Sequence, residues 1–211
     1  MNNTTTATTK TAKRFDVRKL VFTALLAGLS YALGELTSFS LPFMPFFISM
    51  DFSDVPALLA AFTMGPWSGV AVSFIKNLLG MITSMTGFIG ELSNFMLCCF
   101  LVIPAGLIMR KRSSLKYAII AAVSGALCMG VLGLVTNYFI VYPLYDIAVL
   151  PTETIVGAYQ AILPSVGGLF ECLLIFNLPF TICKGLIAGI ITIPLYKKLR
   201  PVFNSFYRSE G

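Results

Sequence analysis

Residues 51–77 read DFSDVPALLAAFTMGPWSGVAVSFIKN. Two apolar arms, Val55–Met64 and Ser68–Ile75, meet at Gly65-Pro66, and the second carries Lys76 and Asn77 into apolar surroundings. A charge inside a hydrophobic segment is costly and by default marks a functional site. A helix needs about 20 residues to span the hydrocarbon core, so the second arm is too short unless it tilts or the bilayer thins. Alternatively, Val55–Met85 is one helix kinked at Pro66. Topology decides between the two.

The whole chain is 57% hydrophobic and 11% charged, with a mean hydropathy of +0.86. Soluble domains carry about 25% charged residues, so this composition predicts an integral membrane protein of one domain. The net charge of +6 does not point to nucleic acid, because the cations cluster beside apolar spans. That pattern orients membrane helices. The five cysteines, Cys98, Cys99, Cys128, Cys172 and Cys183, lie in apolar segments without histidine or a CxxC pair. They read as buried free thiols rather than zinc ligands or disulfides.

Outside the two arms the apolar segments are about Val17–Phe39, Ile89–Met109, Tyr117–Val141 and Leu163–Leu195. Basic clusters occur at Lys10/Lys13/Arg14/Arg18/Lys19, at Arg110/Lys111/Arg112/Lys116 and at Lys197/Lys198/Arg200/Arg208. If all three face the cytoplasm, the chain crosses an even number of times between the first two. Gly65-Pro66 then becomes a cytoplasmic turn between separate helices, and both termini are cytoplasmic. The expected fold is all-α, a bundle of six transmembrane helices over residues 15–200. A disordered tail precedes it at 1–14 and a cytoplasmic tail follows at 201–211. Segments Ser40–Ser53, Thr86–Gly90 and Tyr142–Ile162 are expected as external loops, with Asp51 and Asp54 at the outer side. Pro179 should kink the last span.

Polar side chains converge on the outer half of the bundle: Glu91, Asn94, Asn137, Thr181 and Lys184, with Lys76 and Asn77 on the third segment. Asn177, Thr181 and Lys184 share one helix face. One reading is that Lys76, Lys184, Glu91 and Glu171 merely pair to hold the bundle. The neutral amides and hydroxyls favour a pocket for an uncharged polar solute. Lys184 is expected to face Glu91 or that ligand. Ala24, Gly28 and Ala32 place small residues on one helix face. Spacing alone slightly favours internal packing for them over contact with another protein. Phe39, Phe43, Phe46 and Phe47 crowd the first external loop with Pro42 and Pro45, as an interfacial belt or as the lid of an aromatic pocket. No phosphate-binding GxxxxGK[ST] loop occurs, so the chain cannot hydrolyse ATP itself. No catalytic set or metal site is evident.

The stretches DFSDVPALLAAFTMGP, SGVAVSFIKN, GELSNF, TNYFIVYPLY and PFTICKG occur in order. Over about residues 17–198 the chain resembles the S components of energy-coupling factor (ECF) vitamin transporters, in particular the riboflavin-specific ones. The resemblance implies a bacterial plasma-membrane substrate-binding subunit, not an enzyme, working with a T component and two ATPases. It implies that Glu91, Asn137 and Lys184 contact the flavin. The sixth-helix position usually filled by Asn falls on Thr181, with Asn177 nearby. It also implies that Ala24, Gly28 and Ala32 meet the T component and that the Phe/Pro loop covers the ligand. Riboflavin, the transported ligand rather than a cofactor, has an apolar edge, an amide-like edge and a hydroxylated chain. A pocket of Phe, Met and Pro beside Glu, Asn, Thr and Lys suits that combination. The alternatives are an S component for another vitamin or aromatic compound, or an intramembrane enzyme or structural protein with buried ion pairs.

Overall fold

The computed structural model describes residues 17–45, 47–84 and 88–208, the side chains only as far as Pro201. Phe46, one of the expected lid residues, lies outside them, as do Lys10, Lys13 and Arg14 of the first basic cluster.

The chain is a helical membrane bundle. It runs through α1 (Val17–Thr37), the two-residue strands β1 (Phe39–Ser40) and β2 (Ser49–Met50), α2 (Asp54–Met64), α3 (Pro66–Gly80) and α4 (Ile89–Lys111). Then come α5 (Leu115–Thr136), a π-helical turn at Asn137–Val141, α6 (Tyr142–Ala148) and α7 (Thr152–Gln160). Last are α8 (Leu169–Cys172), a second π-helical turn at Leu173–Asn177 and α9 (Leu178–Arg208). The strands form a small antiparallel ribbon, Phe39 opposite Met50, which a purely α reading did not include.

The arms around Gly65-Pro66 are separate helices. Gly65 has φ 98°, a left-handed backbone that L side chains rarely adopt, so glycine is required there. Pro66 opens α3, where its missing N–H costs nothing. At 1.5 Å per residue, α2 and α3 reach only about 17 and about 23 Å, against a hydrocarbon core of about 30 Å. Among the described residues, four longer helical stretches are long and apolar enough to cross a membrane: 17–37, 89–111, 115–148 and 169–201.

Burial follows from position in the bundle. Ten of the eleven residues of α2 are buried, because α1, α3, α4 and α9 all pack against it. A helix apolar on nearly every side belongs in such a centre. By contrast, α1 buries only Thr23, Ala27 and Ser30. Ala24, Gly28 and Ala32 are exposed, and a Cβ on Gly28 would meet nothing within 4 Å. Internal packing of that face, slightly favoured by spacing alone, is therefore corrected: the small residues point out of the bundle. Small residues do bring helices together elsewhere. A Cβ on Gly106 would lie 2.7 Å from Pro66 Cα, and one on Gly125 would lie 2.6 Å from the Leu101 carbonyl oxygen.

Two further expectations change. The 142–162 segment is not a plain loop but carries α6 and α7, which bury Tyr142 and Tyr159. Cys183 is exposed on the bundle surface rather than buried, because an apolar span has a lipid side as well as a protein side.

Candidate functional site: a polar cavity at one end of the bundle

Both π-helical turns immediately precede a Tyr-Pro or Leu-Pro step. Tyr142 N–H bonds back five residues to the Asn137 carbonyl, and Leu178 N–H bonds back five to the Leu173 carbonyl. The prolines at 143 and 179 lack an N–H, so the regular ladder is already interrupted there. Wider turns of this kind often occur at functional sites. Here they carry Asn137 and Asn177, both buried, to the wall of one cavity.

That cavity has a volume of about 130 Å³. Asn94, Asn137, Asn177, Thr181 and Lys184 supply its polar groups, and Phe47, Tyr142, Tyr145 and Phe180 supply aromatic surface. Ser93 Oγ donates to Asn137 Oδ1 at 3.3 Å. Behind the wall, Asn177 Nδ2 donates to Tyr142 Oη at 3.0 Å, Tyr159 Oη donates to Asn177 Oδ1, and the two tyrosine hydroxyls are 2.9 Å apart. This closed triad ties α6 and α7 to the second π turn. Tyr142 and Tyr159 were not singled out from the sequence, where nothing marks two tyrosines 17 residues apart as partners of a distant asparagine.

Beneath the cavity lies a buried charge cluster. Lys184 Nζ is 2.8 Å from Asp51 Oδ2 and 4.0 Å from Asp54 Oδ2, while Lys76 Nζ is 3.3 Å from Asp54 Oδ1. Lys76 also donates to Ser53 Oγ at 2.8 Å, and Ser53 Oγ donates to Asp51. Two cations and two anions thus balance in one network. Burial pulls the Asp51 carboxyl upward, but the ammonium groups of Lys184 and Lys76 outweigh it and hold it below the usual carboxylate range. Lys184 therefore has Asp51 as its partner, not Glu91. Asp51 and Asp54 turn inward, and the pairing reading holds for Lys76 with a different acid from those expected.

The sequence-predicted residues divide accordingly. Asn137, Asn177, Thr181 and Lys184 line the cavity together. Lys76 is buried in the charge cluster, and Asn77 spends its amide on its own helix, donating to the Ser73 carbonyl at 2.8 Å. Glu91 sits beside the cavity-lining Gly90 and accepts from Ser84 Oγ at 2.7 Å. Phe43 lines a separate apolar groove of about 440 Å³ between the ribbon and α9. Phe180 is a wall common to groove and cavity.

Residues 18–196 match the family described as ECF transporter, substrate-specific component. The chain belongs to this family. Among its relatives, the riboflavin transporter RibU of Staphylococcus aureus (strain TCH60) is 31% identical over 182 residues, covering 86% of this chain and 90% of that protein. The riboflavin transporter FmnP of Bacillus subtilis (strain 168) is 30% identical over 188 residues, covering 88% and 93%. A solved structure of the S component of a bacterial ECF transporter superposes with a TM-score of 0.69 at 30% identity, over 88% of this chain and 97% of that one. The chain is thus a transport subunit rather than an enzyme, and a multi-pass protein of the bacterial plasma membrane.

Proposed function

We propose that this chain captures riboflavin in the Asn137/Asn177/Thr181/Lys184 cavity from the external side. Uptake is then driven by a T component and two ATPases. The observation that carries this reading is the convergence of three amides, a hydroxyl and an ammonium opposite aromatic rings in one cavity. Such a wall matches a ligand with a donor-acceptor edge, a polyol chain and a flat apolar end. Relatives covering most of the chain are riboflavin transporters, which supports the same ligand.

At about 130 Å³ the cavity is smaller than the roughly 300–1,000 Å³ of a typical ligand site. Riboflavin enters when the Phe47–Ser49 segment, which lines one side, withdraws; the Phe43 groove is the adjoining apolar space. Glu91, next in sequence to the cavity-lining Gly90, joins the polar edge after that movement, whereas Lys76 and Asn77 act by supporting the wall. The exposed Ala24, Gly28 and Ala32 face suits close approach by the T component. Six spans with both termini cytoplasmic complete the reading, α2 and α3 being the short pair.

Riboflavin titration of the purified chain, followed by quenching of flavin fluorescence, tests the site. Asn137→Ala should weaken binding at least roughly tenfold, about 1.4 kcal/mol, because a ligand group loses its match without a buried charge being stranded. Binding as tight as the parent's would place the flavin elsewhere.

A further inference from the structure

A second cavity, of about 540 Å³, lies at the opposite end of the bundle. It is bounded by the start of α1, the end of α4, the α2–α3 turn and the distal part of α9. Lys19, Arg110 and Arg200 enter it from three different helices, and no Asp or Glu lines it among the described residues. Arg200 Nη2 donates to Ser113 Oγ at 3.4 Å across its rim. The Gly65–Trp67 start of α3 also forms part of the wall. A 15-residue helix presents a partial positive charge and backbone donors at that end. Three cations and a helix N-terminus facing one space, whose described lining carries no Asp or Glu, make a receptor for an oxyanion.

The surroundings indicate what carries that anion. Trp67 lines the cavity and is 72% exposed, and Val17, Leu20 and Val21, beside Lys19 on α1, are exposed too. Apolar and indole surface flanking a cationic cavity at the end of membrane helices fits an amphiphile whose head lies at the interface.

We propose that this cavity holds the phosphate of an anionic phospholipid headgroup, contacted by Lys19, Arg110 and Arg200, with Trp67 against its glycerol and upper acyl region. The riboflavin site at the other end plays no part in this binding.

Trp67 is the only tryptophan of the chain, so its fluorescence reports on this cavity. The full chain in mixed micelles is titrated with phosphatidylglycerol or phosphatidylcholine carrying brominated acyl chains, which quench indole on contact. Half-maximal quenching should need at least roughly tenfold less phosphatidylglycerol than phosphatidylcholine. High salt should erase the difference, as expected for ionic recognition. The triple substitution Lys19→Gln, Arg110→Gln, Arg200→Gln should erase it at low salt while leaving riboflavin binding intact, which shows that the bundle is folded. Equal quenching by the two lipids in the parent chain, at low salt, would overturn the proposal without any variant. A lipid preference that survives in a triple variant still binding riboflavin would also overturn it. Soluble glycerol phosphate separates the two sources of a phosphate. Failure to displace phosphatidylglycerol supports the membrane lipid as occupant. Displacement at concentrations comparable to the lipid's would overturn it in favour of a soluble phosphate ester.

Discussion

Replacing Lys184 tests the charge cluster and the cavity at once. Lys184 Nζ is 2.8 Å from Asp51 Oδ2. At an effective dielectric of about 20 that separation corresponds to about 6 kcal/mol of direct attraction, before desolvation is counted. Lys184→Met removes one of two cations and leaves Asp51 buried against a single remaining lysine. Stranding a buried charge costs about 3–5 kcal/mol, a large part of a stability of about 5–15 kcal/mol. Asp51→Asn strands Lys184 in the same way. The double variant removes both charges, leaves the Lys76–Asp54 pair in place, and should cost clearly less than the two singles added together. Thermal unfolding of all four proteins in one detergent gives the cycle. Riboflavin titration of the same samples separates the second role: the double variant should fold well yet bind weakly, because the ammonium on the cavity wall is gone. Additive losses in unfolding would refute the pairing. Parent-like affinity in the double variant would refute Lys184 as a ligand contact.

Gly28→Leu should leave riboflavin binding within about twofold, since a Cβ there meets nothing within 4 Å and the position is exposed, yet abolish uptake in cells with the partner complex; a loss of both would mean that α1 packs differently. Gly106→Ala should destabilise the bundle by about 1–3 kcal/mol, because its Cβ would lie 2.7 Å from Pro66 Cα, and an unchanged melting temperature would contradict the close α3–α4 approach. For topology, a cysteine at Ser113 should react only with internal reagents and one at Thr152 only with external reagents. The opposite sidedness at either position would remove the six-span arrangement.

The break at Gly65-Pro66 was legible because two residues with opposite backbone demands stand side by side. Asn137, Thr181, Asn177 and Lys184 were legible because polar groups are rare in apolar spans. Asp51 was misread for a related reason. It lies in a short polar stretch that looks like a loop, and only the packing of α2 against α9 reveals that the stretch dives to meet Lys184. The outward Gly28 face shows a different limit: spacing identifies which residues share a side but not whether that side meets protein or lipid. The tyrosine triad was invisible because its partners are 18 and 35 residues from Asn177. Pro179 pointed to a disturbance in the last span, but not to a wide turn that ends on an asparagine.

Each π turn holds one residue more than regular α-helical winding would. Deleting a single residue from Asn137–Val141 would let the segment wind as ordinary α-helix while the flanking helices keep their facing, because the wide turn absorbs the extra residue. Tyr142 would keep its place, but the side chains within the turn, Asn137 among them, would be re-aimed relative to the cavity, while the lipid-facing surface of α5 before the turn stayed as it was. One codon lost or gained there redraws the ligand pocket without redesigning the bundle, so length variation at these two sites is a route by which one scaffold could come to accept different solutes.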